Sequence, residues 1–471
     1  MGLFKQMRGK NRSLAVAALI SGILLLYVLF LTRTYYWDGV LFSLYIEGVQ
    51  RGQLPAAILF HPNHLLYSAL GYGVFQVGLW CGFPVRAITV LQVLNAVLSA
   101  VAGWVVFRFA LRLTASARTA FFCSTLFAFG ATWWKFSTDA DAYVIAVLLL
   151  LLAVRLALDT RLLAAGVCHA FAMLFHELAV FAYVPLVLAI LVRGKSKPAA
   201  LYVVVTGGCV AAVYWAAYQF SDHSVYPSLF SWVTSRSATS QVTHSARQIF
   251  VGYLASYGKL FVGGKLAFIR EYFSVAVVLA LAVCMACLAG FVLLLRRRIV
   301  AKPLSRVNSG VLWAWVLVYG LFLVWWEPAS AFYKLFLWPP LVLLIGVWMR
   351  GRAPAFLALA GAIAAWNFGV FVFPHSHVSA DPVLALAKVI DREMPKDATV
   401  YYSVLSPDDW YLEYFAPGRK WVHLPIKPAQ AGSVCLETTA LDELRANSGT
   451  SEQRWELVNS QHRVIVECLK H

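Results

Sequence analysis

Eleven apolar blocks, separated by short polar breaks, fill the first 375 residues. They fall near 13–32, 87–109, 119–136, 142–159, 162–175, 178–193, 199–219, 273–295, 309–326, 332–349 and 354–373. A helix needs roughly 20 apolar residues to cross a bilayer core, and many of these blocks approach that length. Those at 162–175 and 178–193 are shorter and meet around His176. Segments 38–51 and 62–80 are rich in aromatic and His residues, which suits helices lying at a membrane interface. Residues 220–272 form a long loop with many Tyr and Phe, expected to hold amphipathic helices. Beyond Pro374 the pattern changes. Pro382–Arg392 reads as a helix with Val383, Leu384, Leu386, Ala387 and Ile390 on its apolar side. Residues 398–405 and 463–468 read as strands. The expected fold class is an all-α polytopic membrane domain of about eleven transmembrane helices over 1–375, with outer-face juxtamembrane helices. A small extracytoplasmic α/β domain over 376–471 follows.

The charged residues between the blocks sort by side. The Met1–Arg12 arm, Arg112, Arg118, Arg193, Lys195, Lys197, Arg296, Arg297, Arg298, Lys302, Arg306, Arg350 and Arg352 fall at alternate gaps. Positive residues concentrate on the cytoplasmic side, so the amino terminus is expected there. The other face receives Asp38, Glu47, His61, His64, Asp139, Asp141, His176, Glu177, Glu327 and the carboxy-terminal tail. This sorting decides segment 62–82. If it spanned, Arg108, Arg112 and Arg118 would move outside and Asp139 and Asp141 inside, against the charge rule.

Composition agrees with that picture. The chain is 61% hydrophobic and 13% charged, too little polar surface for a water-soluble domain. The basic first residues and the apolar block after them resemble a signal sequence, but no small-residue cleavage site follows, so an uncleaved anchor is expected. The net charge of +17 sits in clusters beside apolar blocks and is explained by topology; nucleic acid is not an expected partner. The compact loops favour a bacterial inner membrane, with the carboxy-terminal region periplasmic, over the endoplasmic reticulum, where a protein of this pattern would look alike. Cys81, Cys123, Cys168, Cys209, Cys284 and Cys287 lie in or beside apolar segments, whereas Cys435 and Cys468 in the tail are placed to pair if the tail is outside the cytosol.

Ionisable groups at membrane depth are costly and point to function. Three separate turns bring them to one face: Trp37-Asp38-Gly39 with His61-Pro62-Asn63-His64, Asp139-Ala140-Asp141-Ala142-Tyr143, and His176-Glu177. Each has a plainer explanation. Asp38, Asp139 and Asp141 stand where carboxylates cap helices. His61 and His64 suit an interface. His176-Glu177 starts like the zinc motif HExxH, but position 180 is Val and the second His is missing. A divalent metal ion stays open, with Asp139, Asp141 and His176 as candidate ligands.

The order of these parts resembles the GT-C superfamily of polytopic glycosyltransferases. Asp38 matches the acidic residue that follows the first span. His61-Pro62-Asn63-His64-Leu65-Leu66-Tyr67 matches the Pro-containing interfacial motif, and Asp141-Ala142-Tyr143 the second acidic motif. The nearest subgroups are the dolichyl-phosphate-mannose-mannosyltransferase-like and aminoarabinose-transferase-like proteins, some of which carry a His at the turn of His176. Asn63 departs from the usual second Pro, and Asp141 from the Glu of one subgroup. The resemblance implies a polyprenyl-phosphate sugar donor and a glycan, lipid or protein acceptor, met in a bed of membrane lipids. Asp38 and Asp141 would be the catalytic pair. His61, Asn63, His64, Tyr143, His176, Glu177, Glu327, Lys334 and Arg270 would bind substrate. Lys334, then Arg270 and Lys259, are the expected phosphate partners, with snorkelling as the plainer role of Lys334. Trp37, Tyr67, Tyr143, Trp326 and Tyr333 are placed to stack on a sugar or to belong to an interfacial belt.

Two other classes compete. A lipid or polyol transporter or flippase asks for broken helices and charges near the midplane, often within an internal repeat. A non-catalytic membrane scaffold asks only for a partner-binding outer domain.

Overall fold

The computed structural model describes residues 9–235, 245, 247–296, 306–393, 399–402, 408–418, 420–423, 451–458 and 463–469. Helix α1 (Gly9–Leu29) carries the first apolar block. Two amphipathic-length helices, α2 (Trp37–Gln50) and α3 (Tyr67–Trp80), precede the long α4 (Ala87–Thr114). The third block divides into α5 (Ala117–Phe129) and α6 (Ala131–Ser137). Then come α7 (Tyr143–Leu158), α8 (Leu162–Phe175), α9 (Tyr183–Leu191) and α10 (Ser196–Tyr218). The 220–272 loop holds α11 (Leu229–Thr234), α12 (Tyr253–Phe261) and α13 (Ala267–Glu271). The last four blocks form α14 (Val275–Leu295), α15 (Arg306–Trp325), α16 (Trp338–Met349) and α17 (Ala353–Asn367). A π-turn over Phe368–Val372 continues α17 into α18 (Phe373–His375).

Helical structure therefore covers all the expected apolar blocks. Four helical runs are long and apolar enough to cross a membrane by themselves: α4, α10, α14 and the run Tyr333–His375. Their outward side chains are apolar as well, such as Leu201, Val204, Leu279 and Leu293. A water-facing helix keeps its apolar residues to one stripe, whereas a lipid-facing one is apolar all round. The chain is an integral membrane protein. α4 is its hub, packed against α1, α2, α3, α5 and α7.

One expected span is interrupted, and a second helix break falls where two expected blocks meet. The block at 119–136 breaks at Gly130, whose backbone is extended (φ −61°, ψ 136°). A Cβ there would stand 2.4 Å from the Trp338 ring and 2.8 Å from the Leu260 carbonyl, so only glycine admits this approach. The second break is at His176, also extended, between α8 and a 3-10 turn over Glu177–Ala182. The sequence pattern gave no sign of the first break.

Segment 62–82 stays on the Asp38 side. Gln92 of α4 donates to the carbonyls of Thr32 and Thr138, 2.9 and 2.7 Å away, which sets the ends of the first and third blocks level with this turn of α4. Tyr67, at the start of α3, reaches Asn95 at the same level, and α3 then runs past Leu91 to Val85. At about 1.5 Å per residue, α3 lies beside the first turns of α4 and does not return through the bundle.

In the tail, α19 (Pro382–Glu393) buries Leu384, Leu386, Ala387 and Ile390, with Val383 half-buried. Its amino end is capped by Asp381, whose Oδ1 accepts from the N–H groups of Val383 and Leu384 at 3.1 Å each. A helix absent from the sequence reading, α20 (Asp408–Phe415), packs on α19 and α2. Strands β1 (Thr399–Tyr402) and β2 (Lys420–His423) pair in parallel. Strands β3 (Ser451–Val458) and β4 (Arg463–Leu469) pair antiparallel. The expected pairing of Cys435 with Cys468 lies outside the described residues, because Cys435 is not among them.

Candidate active site

A cavity of about 110 Å³ is lined by Asp38, Leu41, Phe42, His61, Asn63, His64, Tyr143, His176, Glu177 and Tyr333. Three chain breaks converge there: the start of α2, the 3-10 turn Pro62–His64, and the α8 break at His176. The start of α7 supplies Tyr143 as a wall.

Asp38 sits in the first turn of α2, half-buried, and accepts no hydrogen bond among the described residues. Burial pushes its carboxyl up to about 6. Its position depends on the next residue. A Cβ on Gly39 would stand 2.4 Å from the Ala140 carbonyl, so glycine is what lets α2 abut the 138–142 turn.

The imidazoles hold defined roles. His61 Nδ1 accepts from the Asn63 N–H at 3.3 Å, so its Nε2 carries a proton in the neutral ring. His176 Nδ1 likewise accepts from the Leu178 N–H at 3.3 Å, leaving a buried Nε2–H with no hydrogen-bond partner among the described residues. His64 is the reverse. Its Nδ1 donates to the Phe175 carbonyl at 3.3 Å, which makes Nε2 an acceptor. Burial pulls His64 down to about 4 and His176 further below its ordinary value, so both are neutral at pH 7. The His176 ring packs between His64 (centroids 4.7 Å apart) and Tyr143 (4.6 Å). The cavity thus offers donors, acceptors and carboxylates, and among the described residues no Lys or Arg lines it.

Not every expected site residue joins it. Asp139 is buried and fully engaged: Oδ2 accepts from the Tyr36 N–H at 2.8 Å and from Lys135, and Oδ1 from the Ala140 N–H. It fixes the loop before Asp38. Asp141 lies behind the cavity, with Oδ1 on the Ala142 N–H at 2.6 Å and Oδ2 without a hydrogen-bond partner among the described residues. Burial, then the charges of Asp38 and Asp139, hold its carboxyl well above the usual range. Lys334 is buried and turned away. Its Nζ donates to the Pro328 and Ser330 carbonyls at 2.7 and 3.1 Å, and lies over the Tyr253 ring at 4.7 Å. The short 3-10 turn Tyr333–Leu337 aims Tyr333 into the cavity and Lys334 out of it. Glu327 is half-buried in the preceding loop and does not line the cavity. Arg270 is exposed because α13 buries Phe268 instead, against His375. Lys259 is exposed on α12. Among the described residues no three His, Cys, Asp or Glu side chains gather as a metal site, so Asp139, Asp141 and His176 do not form the expected ligand set.

Sequence reasoning missed the scaffold behind the site. Asn95 of α4 donates to the Asp139 and Asp141 carbonyls at 2.8 and 2.7 Å. Glu47 of α2 accepts from Tyr414 (2.6 Å), Arg86 (2.8 Å), the Ala87 N–H (3.0 Å) and Arg51 (2.6 Å). Arg86 also stacks on Tyr414, 4.1 Å from its ring centroid. An amide side chain within an otherwise apolar helix is the one sequence signal by which Asn95 could have been found.

No protein-family model matches the sequence, and no curated protein matches it. Solved structures do. The crystal structure of ArnT from Cupriavidus metallidurans bound to undecaprenyl phosphate superposes with a TM-score of 0.59 at 12% identity, covering 98% of each chain. Its apo state superposes at 0.58 and 11% identity, covering 97% of this chain and 98% of that one. The fold is that of ArnT. The polytopic helical fold expected from the motif order is therefore met, at the level of fold alone.

Proposed function

We propose that this chain is a membrane glycosyltransferase that moves a sugar from a polyprenyl-phosphate donor to a hydroxyl acceptor. The observation that carries the reading is the cavity in which Asp38, His61, Asn63, His64, Tyr143, His176 and Glu177 meet from separate turns. The ArnT-like fold supports it, and one of those ArnT structures holds undecaprenyl phosphate. In this reading Asp38 takes the acceptor hydroxyl's proton. The acceptor oxygen then forms its bond to the anomeric carbon as the bond to the phosphate oxygen breaks, with inversion. A carboxyl held at about 6 is ionised at neutral pH and more basic than an ordinary Asp, as a general base requires. The Nε2–H groups of His61 and His176 and the Asn63 amide orient sugar and phosphate oxygens, and His64 Nε2 accepts from a sugar hydroxyl. Asp141, Glu327 and Lys334 act from behind, as positioning residues. Arg270 is the exposed cation proposed to meet the donor phosphate.

The site belongs at the extracytoplasmic face of a bacterial inner membrane, with eleven spans, a cytoplasmic amino terminus and residues 376–471 as a periplasmic α/β domain. The transporter reading gains the helix breaks at Gly130 and His176. Both breaks serve one end of the bundle, however, because His176 lines the cavity and α6 leads straight into the Asp139–Asp141 turn. The experiment is a transfer assay with a polyprenyl-phosphate sugar and the Asp38→Asn protein. Loss of transfer by a folded variant supports the enzyme, and full transfer removes Asp38 from the mechanism.

A further inference from the structure

At the end of the bundle opposite Asp38 lies a larger groove, of about 900 Å³, between α1, α4 and α7. The two sites share one helix and use its opposite ends. α7 gives Tyr143 to the Asp38 cavity and Arg155 to this groove. The groove floor is apolar, with Val16, Ile20 and Phe107, and its rim carries Arg108, Arg112 and Arg155. Among the described residues a single carboxylate pairs with them. Asp159 pairs with Arg112 and lies 4.0 Å from Arg155, and Arg161 adds a further positive charge that acts on Arg155. Arg108 forms no ion pair among the described residues and lies over the Trp104 ring, 5.7 Å from its centroid.

A lipid-facing stripe leads to that rim. Val93, Val97, Val101 and Trp104 are each 37–43% exposed on one side of α4, and Arg108 continues the stripe. From Val93 to Trp104 a helix rises about 16 Å at 1.5 Å per residue, close to half of the roughly 30 Å hydrocarbon core. The stripe is thus about one leaflet long and ends in cations.

We propose that this groove is a binding site for an anionic phospholipid of the leaflet facing away from the Asp38 cavity. Its phosphate meets Arg108 and Arg155, and an acyl chain lies along the α4 stripe. The excess of arginine over carboxylate selects an anionic headgroup over a zwitterionic one. The apolar floor selects a lipid over a soluble phosphate. The site is independent of the glycosyl-transfer reading.

The test uses full-length protein in nanodiscs of mixed phosphatidylglycerol and phosphatidylcholine, with retained lipid counted by native mass spectrometry after release. Wild type should retain phosphatidylglycerol. Arg108→Gln should weaken retention about five-fold and Arg108→Gln/Arg155→Gln further, since a basic residue near a membrane surface contributes about that factor. Arg350→Gln/Arg352→Gln, outside the groove, should retain lipid as wild type does. Ala17→Trp fills the exposed groove wall without changing charge, and should also expel the lipid; it keeps the test open if an arginine variant misfolds. Equal retention of phosphatidylcholine, or unchanged retention in both Arg108→Gln and Ala17→Trp, overturns the proposal. A gain in retention on deleting residues 1–8 would also overturn it, because the arm of this chain would then be the occupant.

Discussion

Asp38 and Glu47 occupy the two ends of α2, and their surroundings separate a carboxylate open to a cavity from a structural one. Glu47 is buried and accepts from four neighbours, drawn from α2, the start of α4 and α20. Asp38 is half-buried, faces a cavity and has no hydrogen-bond partner among the described residues. A carboxylate that is fully hydrogen-bonded has its lone pairs engaged and is a poor base. One that burial alone acts on is held ready to accept a proton. The same helix, with the same residue chemistry, thus ties the tail to the bundle at one end and, in the proposed mechanism, presents a base at the other.

That contrast can be broken experimentally. The largest effect is expected for Asp38→Asn: transfer should fall about 10²–10⁴-fold, the usual contribution of a general base. Its thermal midpoint should stay or rise. A folded-state carboxyl raised to about 6 contributes less stability as pH rises through that value, so removing the charge relieves the protein at pH 7. Gly39→Ala comes next. Its Cβ would push α2 off the Ala140 carbonyl, and a shift near 1 Å in a base costs roughly 100-fold in kcat. A pH–rate profile sharpens the assignment, with transfer falling about ten-fold per pH unit below about 6 as Asp38 protonates. A profile flat from pH 5 to 8 would remove Asp38 as the base.

At the other end of α2, Glu47→Gln should cost about 2 kcal/mol of stability by weakening charge-assisted hydrogen bonds, while folded protein transfers normally. A double-mutant cycle with Tyr414→Phe should be non-additive; additivity would mean that the Tyr414–Glu47 contact contributes nothing. The smallest effect is assigned to Lys334→Met. It leaves two carbonyls unpaired, about 1–2 kcal/mol, and should leave the donor KM unchanged. A large rise in KM would restore Lys334 as a phosphate ligand.

The sequence-predicted residues that line the cavity share a feature. Asp38, His61, Asn63, His64, Tyr143, His176 and Glu177 all sit at helix ends, where pattern and charge mark the chain directly. Lys334, Arg270 and Glu327 also sit near helix ends, yet they do not line the cavity. Where a long side chain points is set by one turn of backbone and by competing carbonyls, and neither is written in the local sequence. Asn95 and Gln92 escaped attention for the opposite reason: a polar residue inside an apolar helix does not reveal which distant backbone groups it will satisfy.

The sequence by itself determined the environment and the sides. An apolar block in a bilayer must satisfy its backbone as helix, and charges too costly to bury must collect at the ends, so composition and spacing suffice for both. Only the tertiary structure decided which charges are claimed by a partner among the described residues. Lys135 claims Asp139 and the Arg86–Tyr414 pair claims Glu47, whereas nothing described claims Asp38. That outcome depends on contacts between residues far apart in the chain, such as Tyr414 with Glu47 and Gly39 with Ala140. Hydrogen bonds act over about 3 Å, and no pattern along the sequence fixes distances of that size.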